Sequence, residues 1–130
     1  MDLQDLISRC LQARQHAYAP YSHFLVGAVI LTDKGVFSGC NVENASYGMG
    51  ICAVVTAVSS GAREIKAVVV SSGPGVSPCG ICRQVLREFA AEDCPVTCVN
   101  KDGEVVIQAT MRDLLPASFN PEHLQISSAS

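Results

Sequence analysis

An α/β fold, with a mixed five-stranded sheet and helices on both faces, is predicted for this 130-residue chain. Three observations carry the prediction. Two hairpin signals lie far apart along the chain, helix-period segments sit between and beside them, and one near-continuous apolar run has the look of a strand buried on both faces. The resulting order is α-β-β-α-β-α-β-β-α. Hairpins that alternate with helical crossovers build a three-layer α/β/α arrangement. No linker, repeat or biased tract divides the chain, apart from a Ser-rich end, so residues 1–130 are read as a single domain.

Residues 3–17 place Leu3, Leu6, Ile7, Cys10, Leu11, Arg14 and Ala17 at helical spacing. Ala19-Pro20-Tyr21-Ser22 stops that helix, because proline disfavours helical backbone in the residue before it. Leu25–Thr32 is an apolar, β-branched strand, Asp33-Lys34-Gly35 a turn, and Val36–Asn41 the returning strand. Glu43–Gly50 is polar and glycine-containing, hence a loop. Cys52–Ser60 is an Ala/Val-rich segment stopped by Gly61, a favoured helix terminator, although its valines also suit a strand.

Ile65–Ser71 is the doubly buried strand, Gly73-Pro74-Gly75 a loop, and Gly80–Glu92 a helix with Ile81, Val85, Leu86 and Phe89 on one side. Pro95–Asn100 and Glu104–Ala109 are strands around Lys101-Asp102-Gly103. Thr110-Met111-Arg112-Asp113 reads as a capping box that opens a short helix ending at Pro116.

Composition narrows the function. Apolar residues make up 48% of the chain and charged residues 16%, with a net charge of −3. There is no basic stripe for a nucleic-acid backbone, so nucleic acid is not an expected partner. The longest apolar run, Leu25–Leu31, is far too short to span a bilayer, and Met1–Asp5 lacks the features of a secretion signal. No membrane partner and a cytoplasmic location are the expectations. Seven cysteines then call for an account, since thiols in a reducing compartment serve metal binding or catalysis more often than disulfides. Cys10, Cys40, Cys94 and Cys98 fall on apolar faces or strands and are read as buried small hydrophobes.

Cys52, Cys79 and Cys82 differ. Pro78-Cys79-Gly80-Ile81-Cys82 puts two thiols at a helix start, where backbone N–H groups and the helix dipole favour thiolate. Cys52 stands at a second predicted helix start, after Gly48 and Gly50. Two such termini over one sheet bring three thiolates to one Zn²⁺ and leave the fourth position open. A dithiol redox pair at Cys79 and Cys82, or plain core cysteines, are the alternatives on spacing alone.

Four linked motifs carry a family resemblance. They are Pro20-Tyr21-Ser22-His23-Phe24-Leu25-Val26-Gly27-Ala28, Gly39-Cys40-Asn41-Val42-Glu43-Asn44-Ala45-Ser46-Tyr47, Ile51-Cys52-Ala53, and Ser77-Pro78-Cys79-Gly80-Ile81-Cys82-Arg83-Gln84-Val85. Together with Leu114-Leu115-Pro116 and Ser118-Phe119, they resemble the small homotetrameric zinc cytidine deaminases, over roughly residues 5–125. The resemblance implies a cytidine deaminase-like fold and zinc held by Cys52, Cys79 and Cys82. It implies Phe24 packing on the pyrimidine, Asn41 and Glu43 on the ribose hydroxyls, and the Ala53 backbone on the pyrimidine edge. Tyr47 and Phe119 match aromatic residues contributed by neighbouring subunits, so a homotetramer and a pyrimidine nucleoside ligand are implied.

Without the resemblance, Asn41 and Glu43 read as turn residues and Phe119 as a packing residue. His23 reads as a loop or strand-edge residue, and His16 and His123 as surface residues.

In this family zinc makes water acidic enough to attack C4 of cytosine, while a glutamate that is not a ligand moves the protons. The family sequence after Cys-Ala runs Glu-Arg-Thr-Ala. Here Val54 and Val55 follow Cys52-Ala53 directly. About four residues, roughly one helical turn, are missing, which turns the helix face by only about 40° and shortens it by roughly 6 Å. Valine cannot carry a proton, and losing general acid–base catalysis costs ~10²–10⁴-fold. The absent arginine also leaves a trithiolate site more negative, with Arg83 a partial replacement.

Three functions follow. The first is zinc-dependent hydrolytic deamination of cytidine or deoxycytidine to uridine products, as in pyrimidine salvage, with turnover depressed by Val54. The second is a nucleoside-binding or co-assembling pseudoenzyme. The third is a Cys-x-x-Cys redox protein.

Overall fold

The computed structural model describes residues 2–43, 60–75 and 80–117, with side chains from residue 83 onward in the last stretch. The elements are α1 (Leu3–Arg14), β1 (Val26–Thr32), β2 (Gly35–Cys40), β3 (Ile65–Ser72), α2 (Gly80–Phe89), β4 (Pro95–Val99), β5 (Val105–Thr110) and α3 (Met111–Leu114). The five strands form one sheet in the order β2-β1-β3-β4-β5. β3 and β4 run parallel, and the other neighbours pair antiparallel. The mixed sheet expected from the alternation of hairpins and crossovers is therefore present.

Period-2 alternation sorts the strand residues between two cores. Val69 joins Val29, Val99, Leu6, Ile7 and Cys10 beneath α1. Its neighbours Val68 and Val70 point the other way, to Ile30, Val96 and Cys98 under Leu86 of α2, Ala90 just beyond that helix, and Met111 and Leu114 of α3. Each fully buried aliphatic side chain contributes roughly 1.5–3 kcal/mol. β3 supplies both cores, which is why residues 67–70 are apolar without a polar alternate, between the exposed Lys66 and the buried Ser71 and Ser72. The layers are α1, the sheet, and α2 with α3.

Close approach of α1 to the sheet depends on Gly27. A Cβ there would lie 2.4 Å from the Cys10 carbonyl oxygen and 2.8 Å from the Arg14 Cβ. The contact is fastened by the Cys10 thiol, which donates to the carbonyls of Gly27 at 3.3 Å and Val69 at 3.4 Å. Ser71 Oγ donates back to the Cys10 carbonyl at 3.3 Å. At its start, α1 is capped by Asp2, whose carboxylate accepts the Asp5 N–H at 2.9 Å.

Several boundaries differ from the sequence reading, for identifiable reasons. The front helix ends at Arg14 rather than residue 17, because the N–H groups of Gln15, His16 and Ala17 bond three residues back, to Gln12, Ala13 and Arg14. That tightening closes the helix and frees Tyr18 to bridge Val42. α2 ends at Phe89 rather than Glu92, since Ala90 pairs with Ile65 at the start of β3. β1, β2, β3, β4 and β5 each shift by about one residue at an end.

The capping box is present: Thr110 Oγ1 accepts the Asp113 N–H, and the Asp113 carboxylate accepts the Thr110 N–H at 3.0 Å. Cys10, Cys94 and Cys98 are buried, as expected of them, while Cys40 is only half-buried. Cys40 ends the edge strand β2, which is covered on one side only. The Cys52–Ser60 segment lies outside the described residues apart from its last residue.

Candidate metal and nucleoside site

Pairing register gathers Phe24, Asn41 and Glu43 at one edge of the sheet. Val26 at the start of β1 pairs with Ser72 at the end of β3, and Gly27 pairs with Cys40 at the end of β2. Phe24 just before β1, and Asn41 and Glu43 just after β2, therefore sit where β3 ends. The opposite end of β3, Ile65, meets Ala90 beyond the last turn of α2. The first turn of α2, which carries Cys82, is thereby directed toward the same edge as Phe24, Asn41 and Glu43. A parallel crossover always returns its helix this way, and ligands favour the crevice at the strands' carboxyl ends.

Asn41 ties the strand ends together. Its Nδ2 donates to the Phe24 carbonyl at 2.7 Å, and its Oδ1 accepts the Val26 N–H at 3.0 Å. Its backbone N–H donates to the Val26 carbonyl at 3.2 Å. A primary amide has two N–H groups and two lone pairs, so one of each remains for a ligand. On the other side, Arg14 Nε donates to the Leu25 carbonyl at 3.0 Å. The Phe24–Val26 backbone is thus gripped by a helix and a strand, and the Phe24 side chain stays exposed, at 40%.

Glu43 is organised by the turn ahead of β1. Its Oε1 accepts the N–H groups of Tyr21 at 3.0 Å and Ser22 at 3.1 Å, and its Oε2 accepts the Ser22 hydroxyl. The Ser22 hydroxyl and then its N–H hold the Glu43 carboxyl below the usual carboxylate range. The Tyr21 N–H and the charge of His23 add to the effect. His23 itself is an exposed turn residue with a positive φ of 59°. From the sequence, Tyr21 and Ser22 read as part of a helix stop and of the first motif, with no link to Glu43. The signal that could have found them is a carboxylate just past the returning strand, level with the turn ahead of β1.

Of the three expected zinc ligands, only Cys82 has its backbone among the described residues. Cys82 occupies the first turn of α2, where the free N–H groups and positive dipole end favour thiolate. Cys10 and Cys94 are pushed up to about 11, chiefly by burial, and burial also raises Cys98 against a smaller opposing effect of Arg83. Burial thus keeps those three thiols from ready ionisation. Among the described residues no three His, Cys, Asp or Glu side chains cluster as a metal site. Cys52, Cys79, Tyr47, Ala53, Val54 and Phe119 lie outside the described residues. Arg83, expected to soften a negative site, has its Nη1 donating to the Leu114 carbonyl at 2.7 Å, at the end of α3.

A three-layer α/β/α sheet with an α2 first-turn cysteine and a polar, aromatic edge defines the zinc-dependent deaminase class. Residues 1–98 match the family described as the cytidine and deoxycytidylate deaminase zinc-binding region. The chain is 45% identical to the cytidine deaminase of Sporosarcina psychrophila, covering 95% of this chain and 96% of that protein. It is 42% identical to the probable cytidine deaminase of Dictyostelium discoideum, over 93% of this chain and 88% of that one. The crystal structure of cytidine deaminase from Burkholderia pseudomallei superposes with a TM-score of 0.84 at 41% identity, over 92% of this chain and all of that one (100%). This chain belongs to the cytidine deaminase family.

Proposed function

We propose that this chain is a single domain that holds one Zn²⁺ through Cys52, Cys79 and Cys82, next to a pyrimidine nucleoside site, within a cytoplasmic homotetramer. The family reaction is hydrolytic deamination of cytidine or deoxycytidine to the uridine product. The observation that supports the site is the convergence of Phe24, Asn41, Glu43 and the first turn of α2 at one sheet edge.

In this reading, bound zinc supplies Lewis acidity toward water at C4 of the base. The Phe24 ring covers the pyrimidine. The Asn41 amide keeps one donor and one acceptor for the sugar, and the Glu43 carboxylate accepts from a ribose hydroxyl. The Ala53 backbone reads the pyrimidine edge. Tyr47 and Phe119 close the site from neighbouring subunits.

Val54 stands where the family has its proton-carrying glutamate, and valine has no proton to give or take. A second reading follows from that residue: the chain binds nucleoside and co-assembles without effective turnover. Zinc by elemental analysis, measured beside ammonia release, tests both. About one zinc per chain with severely reduced ammonia release is expected. Turnover equal to that of an intact family member overturns the account of Val54, and absence of zinc overturns the site.

A further inference from the structure

Ser22 stands between the two groups assigned to opposite ends of the nucleoside. Its hydroxyl donates to Glu43 Oε2 and accepts the Phe24 N–H at 3.1 Å. Its N–H donates to Glu43 Oε1 at 3.1 Å, beside the Tyr21 N–H at 3.0 Å. A hydroxyl has one hydrogen and two lone pairs. Here the hydrogen goes to the carboxylate and a lone pair takes the amide, so the direction runs Phe24 N–H to Ser22 hydroxyl to Glu43 carboxylate. Successive bonds of one direction polarise one another. Ser22 itself is exposed and adds nothing to either core, so burial does not account for three bonds made at one residue.

We infer that Ser22 is a positioning residue for the nucleoside, coupling the carboxylate that meets the sugar to the backbone of the aromatic residue that meets the base. The inference rests on the reading above, in which Phe24 and Glu43 touch the nucleoside. A carboxylate accepts about four hydrogen bonds in all, and three are already filled from the turn. The free lone pair is therefore aimed before ligand arrives, which spares the ordering cost of a long side chain at binding.

Among the described residues, the titratable neighbours of Glu43 are few. His23 acts through its charge, and Tyr21 and Tyr18 meet Glu43 through backbone groups, the Tyr18 carbonyl accepting the Glu43 N–H at 2.8 Å. Removal of the Ser22 hydroxyl takes away the largest influence holding the Glu43 carboxyl down. The Glu43 titration then moves to higher pH.

The test is uridine binding by calorimetry to the zinc-loaded full chain, from acid to neutral pH. Uridine is used because its ring carries no amine to lose. Ser22→Ala is expected to weaken uridine roughly tenfold at neutral pH, the scale of one lost hydrogen bond to a charged group. It is also expected to move the acid limit of binding to higher pH. Ser22→Thr, which keeps the hydroxyl, retains both affinity and acid limit. Carboxyl-carbon NMR of Glu43 in the unliganded protein should show the same upward movement in Ser22→Ala alone.

Unchanged affinity and an unmoved acid limit in Ser22→Ala overturn the role of Ser22, as does a Ser22→Thr variant that behaves like Ser22→Ala. Failure of the unaltered chain to bind uridine overturns the nucleoside reading itself, before any variant is made.

Discussion

The side-chain amide of Asn41 reaches across to the residue before β1 and donates to the Phe24 carbonyl at 2.7 Å, while accepting from the Val26 N–H at 3.0 Å. One side chain thus closes the end of the β1–β2 pair and sets the backbone that carries the aromatic ring. Asn41→Ala is expected to cost roughly 1–3 kcal/mol through two lost hydrogen bonds, and to weaken uridine as well. Urea denaturation beside calorimetry checks the pair. Asn41→Asp keeps an acceptor for Val26 but sets a carboxylate against the Phe24 carbonyl, and should recover little.

Gly27 is required by space rather than by backbone angle. Gly27→Ala would place a methyl group within 2.4 Å of the Cys10 carbonyl oxygen, on backbone that cannot swing aside. The expected loss is roughly 3 kcal/mol, read as a lowered denaturant midpoint with helix content retained by circular dichroism. An alanine variant as stable as the parent contradicts the close packing of α1 on β1.

Cys10 and Cys94 impose a pH dependence on stability. Burial raises both thiols from 9.0 to about 11, so the folded chain holds protons that the unfolded chain releases first. Their stabilising effect is complete below pH 9 and is lost as pH rises through about 11. Thermal melts over that alkaline range should show a falling midpoint, and Cys10→Ala should show a smaller fall, after allowance for its own packing loss. Alkylation at neutral pH should leave Cys10 unmodified until the chain unfolds.

The proposed lack of an acid–base group gives a test by gain of function. Insertion of Glu-Arg-Thr-Ala between Ala53 and Val54 restores the family pattern, and ammonia release from cytidine should rise by ~10²-fold or more. Substitution of Val54→Glu alone restores the carboxylate without the missing turn, and should recover less. Equal activity in the parent and the insertion chain would show that proton transfer is handled elsewhere.

Much of this was legible in the residues. The Asp33-Lys34-Gly35 turn, the doubly buried β3 and the Thr110–Asp113 capping box are each written in local chemistry: a glycine at φ 116°, an unbroken apolar run at residues 67–70, and a hydroxyl three residues before a carboxylate. The end of α1 was not, because it depends on Tyr18 meeting Val42, a contact between distant parts of the chain. Strand order escaped for the same reason, since hairpin and crossover signals do not say which edge a strand joins. At the site, the motifs marked Phe24, Asn41 and Glu43, but the use of Glu43 by Tyr21 and Ser22 appears only when the two segments are folded together. Arg83 reads as a neighbour of Cys82, and the bond of its Nη1 to the Leu114 carbonyl at the end of α3 has no sequence signal.

Asp33 sits in the first hairpin, yet its Oδ1 accepts the N–H groups of Arg63 at 3.1 Å and Glu64 at 3.0 Å. That staple fixes where the chain re-enters the sheet, while Asn41 fixes where it leaves. The length between the two anchors can therefore change with little penalty, since closing a loop twice as long costs only ~0.6 kcal/mol more. On the proposed reading, an architecture clamped in this manner sheds a helical turn, and with it a chemical step, while its strands keep their partners. Stability and reactivity are thereby uncoupled, and inheritance of the scaffold need not carry inheritance of the reaction.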